Sequence, residues 1–190
     1  MKNSDDSLDA FVSMEGKLLL ADTALRDVNF FRSVLYVTRH TTDGAHAYIL
    51  NQPLDRQVND LLSGEEFALL ADVPVFKGGP VGVERLTFAT LGWNARTRVF
   101  HFRSHLSTSE ACDAHLSGQE VRAFVGHSGW SAGQMERELQ GNSWMVADVA
   151  VAGANLRNAE QTPNLWSTVL CAMGPFHTLL ALTPEWPERN

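Results

Sequence analysis

Apolar and polar positions along this chain fall into short runs whose period changes repeatedly. Gly16-Lys-Leu-Leu-Leu-Ala21 is a nearly continuous apolar run, the pattern of a strand buried on both faces. Asp22 to Asp27 is polar and punctuated, and Asn29 to Arg32 is long enough for one helical turn. Ser33–His40 and Ala45–Leu50 are rich in β-branched and aromatic residues, with Thr41-Thr42-Asp43-Gly44 between them. Asp-Gly supplies the positive φ angles of a type I′ turn, so these runs are expected to form a hairpin. In Asn51-Gln52-Pro53 the proline is expected to stop the second strand, because it has no N–H to give the ladder.

Helical spacing follows at Val58, Leu61, Leu62 and Phe67, over a stretch that ends near Leu70 and that Gly64 is expected to split in two. Val73–Phe76 is a short strand running into a glycine turn, Lys77-Gly78-Gly79-Pro80. Arg85–Thr90 and Arg98–Arg103 alternate as strands. Ser107-Thr-Ser-Glu110 is a capping box that opens a helix through Leu116, ended by Gly118. Val121–Val125 reads as a strand, followed by a glycine-rich turn and a helix from Ala132 to Leu139. Ser143–Val146 is a further strand, and Asn164–Met173 a helix closed by Gly174-Pro175. Strands outnumber helices and the hairpins are local. The class is α+β: a single domain with a mostly antiparallel or mixed β-sheet and flanking helices. Residues 1–14 are expected to be a frayed tail, 15–183 the domain and 184–190 a loose end.

Composition narrows the function classes. The 190 residues are 44% hydrophobic, enough for one sizeable core, and carry a formal net charge of −7. An acidic surface repels phosphate backbones, and no Lys/Arg run offsets this, so direct nucleic-acid binding is disfavoured. No apolar run is long enough to span a membrane. The polar, acidic start is the opposite of a secretory leader. Cys112 and Cys171 stand far apart, and the expectation is two buried free thiols in a reducing cytoplasm.

The segment richest in candidate chemistry is Phe124-Val-Gly-His-Ser-Gly-Trp-Ser-Ala-Gly-Gln-Met-Glu136. It reads as strand, tight turn and helix N-terminus, a place for an anion or a nucleophile. Within it Gly129-Trp-Ser-Ala-Gly133 matches the G-x-S-x-G nucleophile elbow, and Asp148 and His177 follow Ser131 in hydrolase order. Against this, the preceding chain is built of hairpins, and too few residues follow Ser131 for the further βα units of that fold. The other reading is that Gly129 and Gly133 serve a tight turn and close helix packing. His127 suits an acid–base or anion contact, or a local hydrogen bond; Trp130 suits stacking on a ligand or packing. Gly78-Gly79-Pro80 offers backbone N–H groups to an anion, or is a strained connection. His101 and His105 are four apart, which on a strand separates them by about 13 Å, so no metal site is expected. Glu136 and Glu138 most simply favour the helix dipole or face solvent. No G-x-G-x-x-G calls for a dinucleotide, and no cofactor is implied.

These blocks together resemble the AlgH/YqgE family of small bacterial cytosolic proteins. The resemblance runs from Gly16 to Leu182 and rests on Gly16–Ala21, Phe31-Arg-Ser-Val-Leu-Tyr36 with His40, Leu50-Asn-Gln-Pro53, Val75-Phe-Lys-Gly-Gly-Pro-Val81 and Gly126–Glu136, with Trp144, Trp166 and Met173-Gly174 downstream. The chain departs from the family pattern at Thr23, where a proline is usual, at Val28 after Asp27, where Asp-Pro is usual, and at Gln52, where a cation is usual. At Ser131 the family pattern does not call for serine. The resemblance implies one α+β domain with a strongly bent, bulged sheet. Family members carry a transcriptional-regulator label without an established activity.

The expected function is therefore a cytoplasmic binding or regulatory module acting through a small ligand or a protein partner, with an oligomer open. Its proposed contact surface gathers Arg32, Ser33, Asn51, Gly78, Gly79, His127, Trp130 and Gln134 at strand ends, where pockets form. No catalytic residue is assigned. The alternative is a small-molecule hydrolase with His127 as acid–base and Ser131 as nucleophile, using the helix N-terminus as an oxyanion site.

Overall fold

A computed structural model describes residues 11–156 and 164–183. Nine strands are defined among them: β1 (Lys17–Ala21), β2 (Val34–Thr41), β3 (Gly44–Ile49), β4 (Pro53–Gln57), β5 (Pro74–Lys77), β6 (Val81–Asn94), β7 (Val99–Leu106), β8 (Glu120–Ser131) and β9 (Trp144–Asp148). The α-helices are α1 (Thr108–Leu116), α2 (Gln134–Gln140), α3 (Val149–Ala152), α4 (Leu165–Met173) and α5 (Pro175–Ala181). The sheet runs β4-β5-β8-β3-β2-β1-β9, with β6 pairing both β7 and β8. Only the β5–β8 pair is parallel among these strands. The architecture is the expected α+β, with a mixed sheet.

β8 joins the two parts of the sheet. Its first half pairs β5 and most of β6, and its second half pairs β3. One core cluster is lined from both parts, by Leu18, Leu20, Tyr48 and Leu50 on one side and Phe76, Leu91 and Phe124 on the other, closed by Trp166, Val169 and Leu170 of α4. A second cluster packs Val121, Ala123, Val75 and Phe88 against Ala111 and Ala114 of α1. A third packs Leu19, Leu35, Val37, Ile49 and Trp130 against Met135 of α2 and Trp144 of β9. Arg122 is fully buried beneath this junction. Its guanidinium lies on Glu120, donates to the carbonyls of Leu50 and Leu156, each at 3.1 Å, and stacks on Phe76.

Local expectations are met where the signal was local. Ser107 caps α1 by accepting from the Glu110 N–H, while the Glu110 carboxylate accepts from Ser107 N at 2.9 Å. Gly64 does split the segment after Val58, although the pieces are 3-10 turns at Val58–Asp60 and Glu65–Leu70. The β2–β3 hairpin forms, but neither Thr42 nor Asp43 has a positive φ. The turn is therefore not type I′; Gly44 instead opens β3, paired with Thr41 at φ +138°. Pro53 ends nothing: β3 stops at Ile49, and Pro53 begins β4 on the sheet edge, where its missing N–H costs least. Pro175 likewise opens α5.

Both cysteines are free thiols, yet Cys112 is half-buried and Cys171 exposed, because α4 turns Leu165, Trp166, Val169 and Leu170 inward instead. Of the expected tail at residues 1–14, the described part is held: Met14 N–H donates to His40 Nδ1 at 2.9 Å and Ser13 Oγ to the His40 carbonyl at 3.0 Å. The expected loose end at 184–190 lies outside the described residues. Among the described residues no helix is long and apolar enough to cross a membrane.

Candidate functional site

The glycine segment after Phe124 is not a turn. β8 continues unbroken to Ser131, so that only Ala132-Gly133 turns before α2, and Gly126 lies inside the strand at φ +67°. Around Gly126 the ladder with β6 shifts register, with residues 82–85 of β6 as the extra ones, and the faces of β8 change phase. Phe124 faces the core shared by both parts of the sheet, whereas Trp130, six residues on, packs in the cluster on the opposite face. The Gly78-Gly79 segment crosses β8 at this point in close backbone contact. A Cβ on Gly78 would lie 2.2 Å from the Gly126 carbonyl oxygen, and one on Gly79 2.2 Å from the His127 carbonyl. Gly78 N–H already donates to Val125 O at 2.8 Å, and its carbonyl accepts from Ile49 N–H at 2.9 Å. These glycines exist for backbone crossing backbone, and Gly78's amide is not available to cradle an anion.

The re-phasing places His127 on an open rim beside two other histidines. His46 of β3 stacks on His127 with ring centroids 4.5 Å apart and planes 21° from parallel, and His105 of β7 lies 6.3 Å from His46. Tyr48 forms the floor, edge-on to His46 at 5.0 Å, with its hydroxyl 3.4 Å from His105 Nε2. Thr38 Oγ1 donates to the His46 carbonyl and lies 2.8 Å from His46 Nδ1. Over His127, residues 82–85 of β6 bulge outward between the pairs Val81↔His127 and Leu86↔Val125.

Burial, then the neighbouring His127 and His105, lower the His46 pKa to about 4. Burial first, then His105 and Arg85, lower that of His127. Both rings are thus neutral near pH 7. Among the described residues no group of three or more His, Cys, Asp or Glu is arranged to hold a metal ion.

The residues expected to share a surface occupy three neighbourhoods. Asn51 holds the segment before β2, its Oδ1 accepting from Val34 N–H at 2.7 Å and its Nδ2 donating to Arg32 O at 2.8 Å. Arg32 lies 5.0 Å over the Trp166 ring and donates to the Thr183 carbonyl. Ser33 is buried, with no hydrogen-bond partner for its hydroxyl among the described residues. Gly78 and Gly79 form the crossing, with His127 beside it. Trp130 and Gln134 belong to α2 and the face it covers: Trp130 Nε1 and Trp144 Nε1 both donate to Glu138 Oε2 at 2.8 Å, and Gln134 donates to Glu138 Oε1. Neither glutamate of α2 is simply a solvent-facing charge, for Glu136 meets buried His40 Nε2 at 3.2 Å.

Ser131 stands at a strand end, not on an elbow, and its hydroxyl donates to Gln134 Oε1 at 3.1 Å. Asp148 caps α3 through Ala150 N–H and binds Lys17 Nζ at 2.9 Å. His177 lies on α5 against Phe176. The hydrolase order in the sequence is not a triad in space. What the sequence reading missed is the meeting of His46 and His105 with His127. They come from three strands, and only long-range pairing unites them.

A family model described as AlgH-like matches residues 18–177. The UPF0301 protein CT0663 of Chlorobaculum tepidum is 30% identical, over 92% of this chain and 95% of its own length. A UPF0301 protein of Bacteroides fragilis is also 30% identical, over 92% of this chain and 90% of its own. Among solved structures, the solution structure of the AlgH protein from Pseudomonas aeruginosa superposes with a TM-score of 0.62 at 24% identity, covering 97% of this chain and 98% of that one. Protein DIP2367 from Corynebacterium diphtheriae does so with a TM-score of 0.65 at 18% identity, covering 91% and 94%. At these identities the two structures speak to the fold alone.

Proposed function

The chain belongs to the AlgH-like family, and we propose that it acts as a cytoplasmic binding module, regulatory through what it holds, with the histidine-bearing rim of β3, β7 and β8 as its contact surface. One observation carries this reading: His46, His105 and His127 converge from three strands on an accessible rim over Tyr48. Neutral imidazoles offer both a donor and an acceptor, and their ring faces offer stacking, which suits a small ligand with polar and planar parts. The Ser131 hydroxyl, the nucleophile of the alternative reading, is given to Gln134. The net charge of −7 argues against the phosphate backbone of DNA as the partner.

The test is a nuclear magnetic resonance titration of the 15N-labelled full chain at pH 7 with a panel of small metabolites. Shifts are expected at His46, Tyr48, His105 and His127, and they vanish in His127→Ala. A panel that moves only residues elsewhere, or that moves the variant equally, overturns the reading.

A further inference from the structure

From Gln161 to Pro184 the chain has no Asp, Glu, Lys or Arg, although charged residues make up 19% of the sequence. Within this run α4 and α5 form a hairpin about Gly174. α4 turns its apolar residues inward, with Leu165, Trp166, Val169 and Leu170 buried. α5 does the reverse. It packs on α4, meets no other element to a similar extent among the described residues, and buries none of its own residues. Phe176 and Leu179 are each 68% exposed and Leu182 is 73% exposed. Spaced by three, they form one stripe along the helix. Cys171, Ala172 and Pro175, where the two helices join, are exposed as well. Other exposed apolar side chains such as Val28 and Leu116 stand singly on separate parts of the chain, which is ordinary for a surface. A contiguous stripe is not.

Charge decides what fits this stripe. The chain as a whole stands at −7, so two copies repel over most of their surfaces. In a two-fold pair one patch meets itself, and any charge near the axis is opposed by its own copy. A hairpin without charged side chains is where two copies approach with the least repulsion. A basic partner would be drawn to carboxylates, and this hairpin has none. A lipid surface would be met by Lys or Arg around the apolar stripe, and the hairpin lacks these too. The chain's own end is no better suited. Arg32 donates to the Thr183 carbonyl, which ties the end of α5 to the segment before β2, and the sequence that follows carries Glu185, Glu188 and Arg189.

We infer that the α4–α5 hairpin is a self-association face, on which two copies pair about a two-fold axis with Phe176, Leu179 and Leu182 of one packed against the same stripe of the other. The exposed apolar residues of the hairpin offer roughly 500–600 Å² per copy, so a pair buries about 1,000–1,200 Å², the lower end for a specific interface. The pair is therefore reversible, with a dissociation constant on the order of 10–100 μM. His177, whose ring meets Phe176 edge-on with centroids 5.5 Å apart, is the one imidazole on the hairpin. None of these residues belongs to the histidine rim, so the pairing and the ligand reading stand or fall separately.

The experiment is sedimentation equilibrium of the full chain at pH 7 over about 2–500 μM. The mean mass is expected to rise from 21.0 kDa toward twice that value. Spectra of the 15N-labelled chain over the same range should shift the amides of residues 171–183. Leu179→Glu sets a carboxylate against its own copy and should weaken pairing at least about tenfold. Leu116→Glu, at a comparably exposed leucine of α1, should leave pairing unchanged. Because Leu179 is exposed, its variant should keep the parent's melting temperature. A mass of 21.0 kDa at every concentration overturns the inference. So does pairing that Leu179→Glu leaves undiminished, or that Leu116→Glu weakens equally. A chain that stays monomeric and floats with phosphatidylcholine vesicles overturns it too, and assigns the stripe to a lipid surface. If Leu179→Glu loses its fold, the parent's concentration-dependent amide shifts decide: shifts at 171–183 support the face, and shifts confined to other elements overturn it.

Discussion

Before Gly126, β8 is enclosed on both faces; beyond it, on one. Val121 and Ala123 pack toward α1 while Arg122 and Phe124 point into the shared core. After the bulge, Ser128 and Trp130 remain buried, but His127 lies on an open rim and Gly129 is exposed. One strand thus serves as a core element in its first half and as a platform in its second. The difference begins at Gly126, where the ladder with β6 shifts register and Gly78-Gly79 crosses the strand. Glycines in the two settings carry opposite meanings: at the crossing they are demanded by contact, and at position 129 they are not.

That contrast predicts the largest effect. Gly79→Ala places a methyl within 2.2 Å of the His127 carbonyl, against backbone that cannot move aside. The cost should be on the order of 4 kcal/mol, a large part of a domain's usual stability, and is read by urea unfolding. Gly129→Ala should instead fall within about 0.5 kcal/mol of the parent or gain slightly. Equal losses at both positions would erase the distinction. Next in size is Glu138→Ala. It removes the acceptor shared by the indoles of Trp130 and Trp144, which are both buried. Two stranded N–H donors should cost about 2–3 kcal/mol, and tryptophan fluorescence of the folded state should shift.

How legible was this in the sequence? The Ser107 box, the Gly64 break, the presence of a hairpin between β2 and β3 and the α4 pattern could be read because their causes are local, although the hairpin's turn type and its strand ends could not. Gly126-His-Ser-Gly was misread because a glycine with a positive φ looks the same in a turn and in a bulge. Only the partner strand decides between them, and Gly79 lies far upstream. β4, α3 and α5 are too short to establish a period, and each depends on what it packs against. The candidate site was the least legible. His127 was picked out by its surroundings in the chain, His105 was noticed only for its spacing from His101 and set aside, and His46 had no local mark. Arg32, Ser33 and Asn51 proved to bind one another's segment, at the opposite end of β2 from Arg39 and the hairpin.

The rim differs from the crossing in being titratable, and this gives the third prediction. The folded pKa of His46 is lowered to about 4 from 6.5, so the unfolded chain binds more protons between those values. Its contribution to stability is complete above about pH 6.5, is lost as pH falls toward about 4, and changes no further below. The full shift would correspond to about 3.4 kcal/mol. The ring is only partly enclosed, so screening reduces this to roughly 1–2 kcal/mol. His127, also lowered, adds in the same direction. Asp148 and Glu110 are held below ordinary carboxylate values by their hydrogen bonds, so their losses come at lower pH. Urea unfolding at pH 6.5 and 4.5 should show the fall, and His46→Phe, which keeps the stack, should flatten it. An unchanged slope would mean that the rim is not what responds.

The smallest expected effect is the one that separates the two ends of β8's second half most cleanly. Ser131 is exposed, and its hydroxyl gives one hydrogen bond to Gln134, whose other contact is Glu138. Ser131→Ala keeps the backbone N–H bond to the same Gln134 oxygen at 3.1 Å, so the helix start stays tethered. Its cost should lie within about 0.5 kcal/mol. More tellingly, any ligand response at the rim should be unchanged in Ser131→Ala and lost in His127→Ala, although the two residues are only four apart on one strand. His127 stacks on His46, whereas Ser131 pairs Gly44 at the hairpin's end and gives its hydroxyl to α2. A parallel loss in both variants would put the working surface at the α2 end of the strand and restore Ser131 to the site.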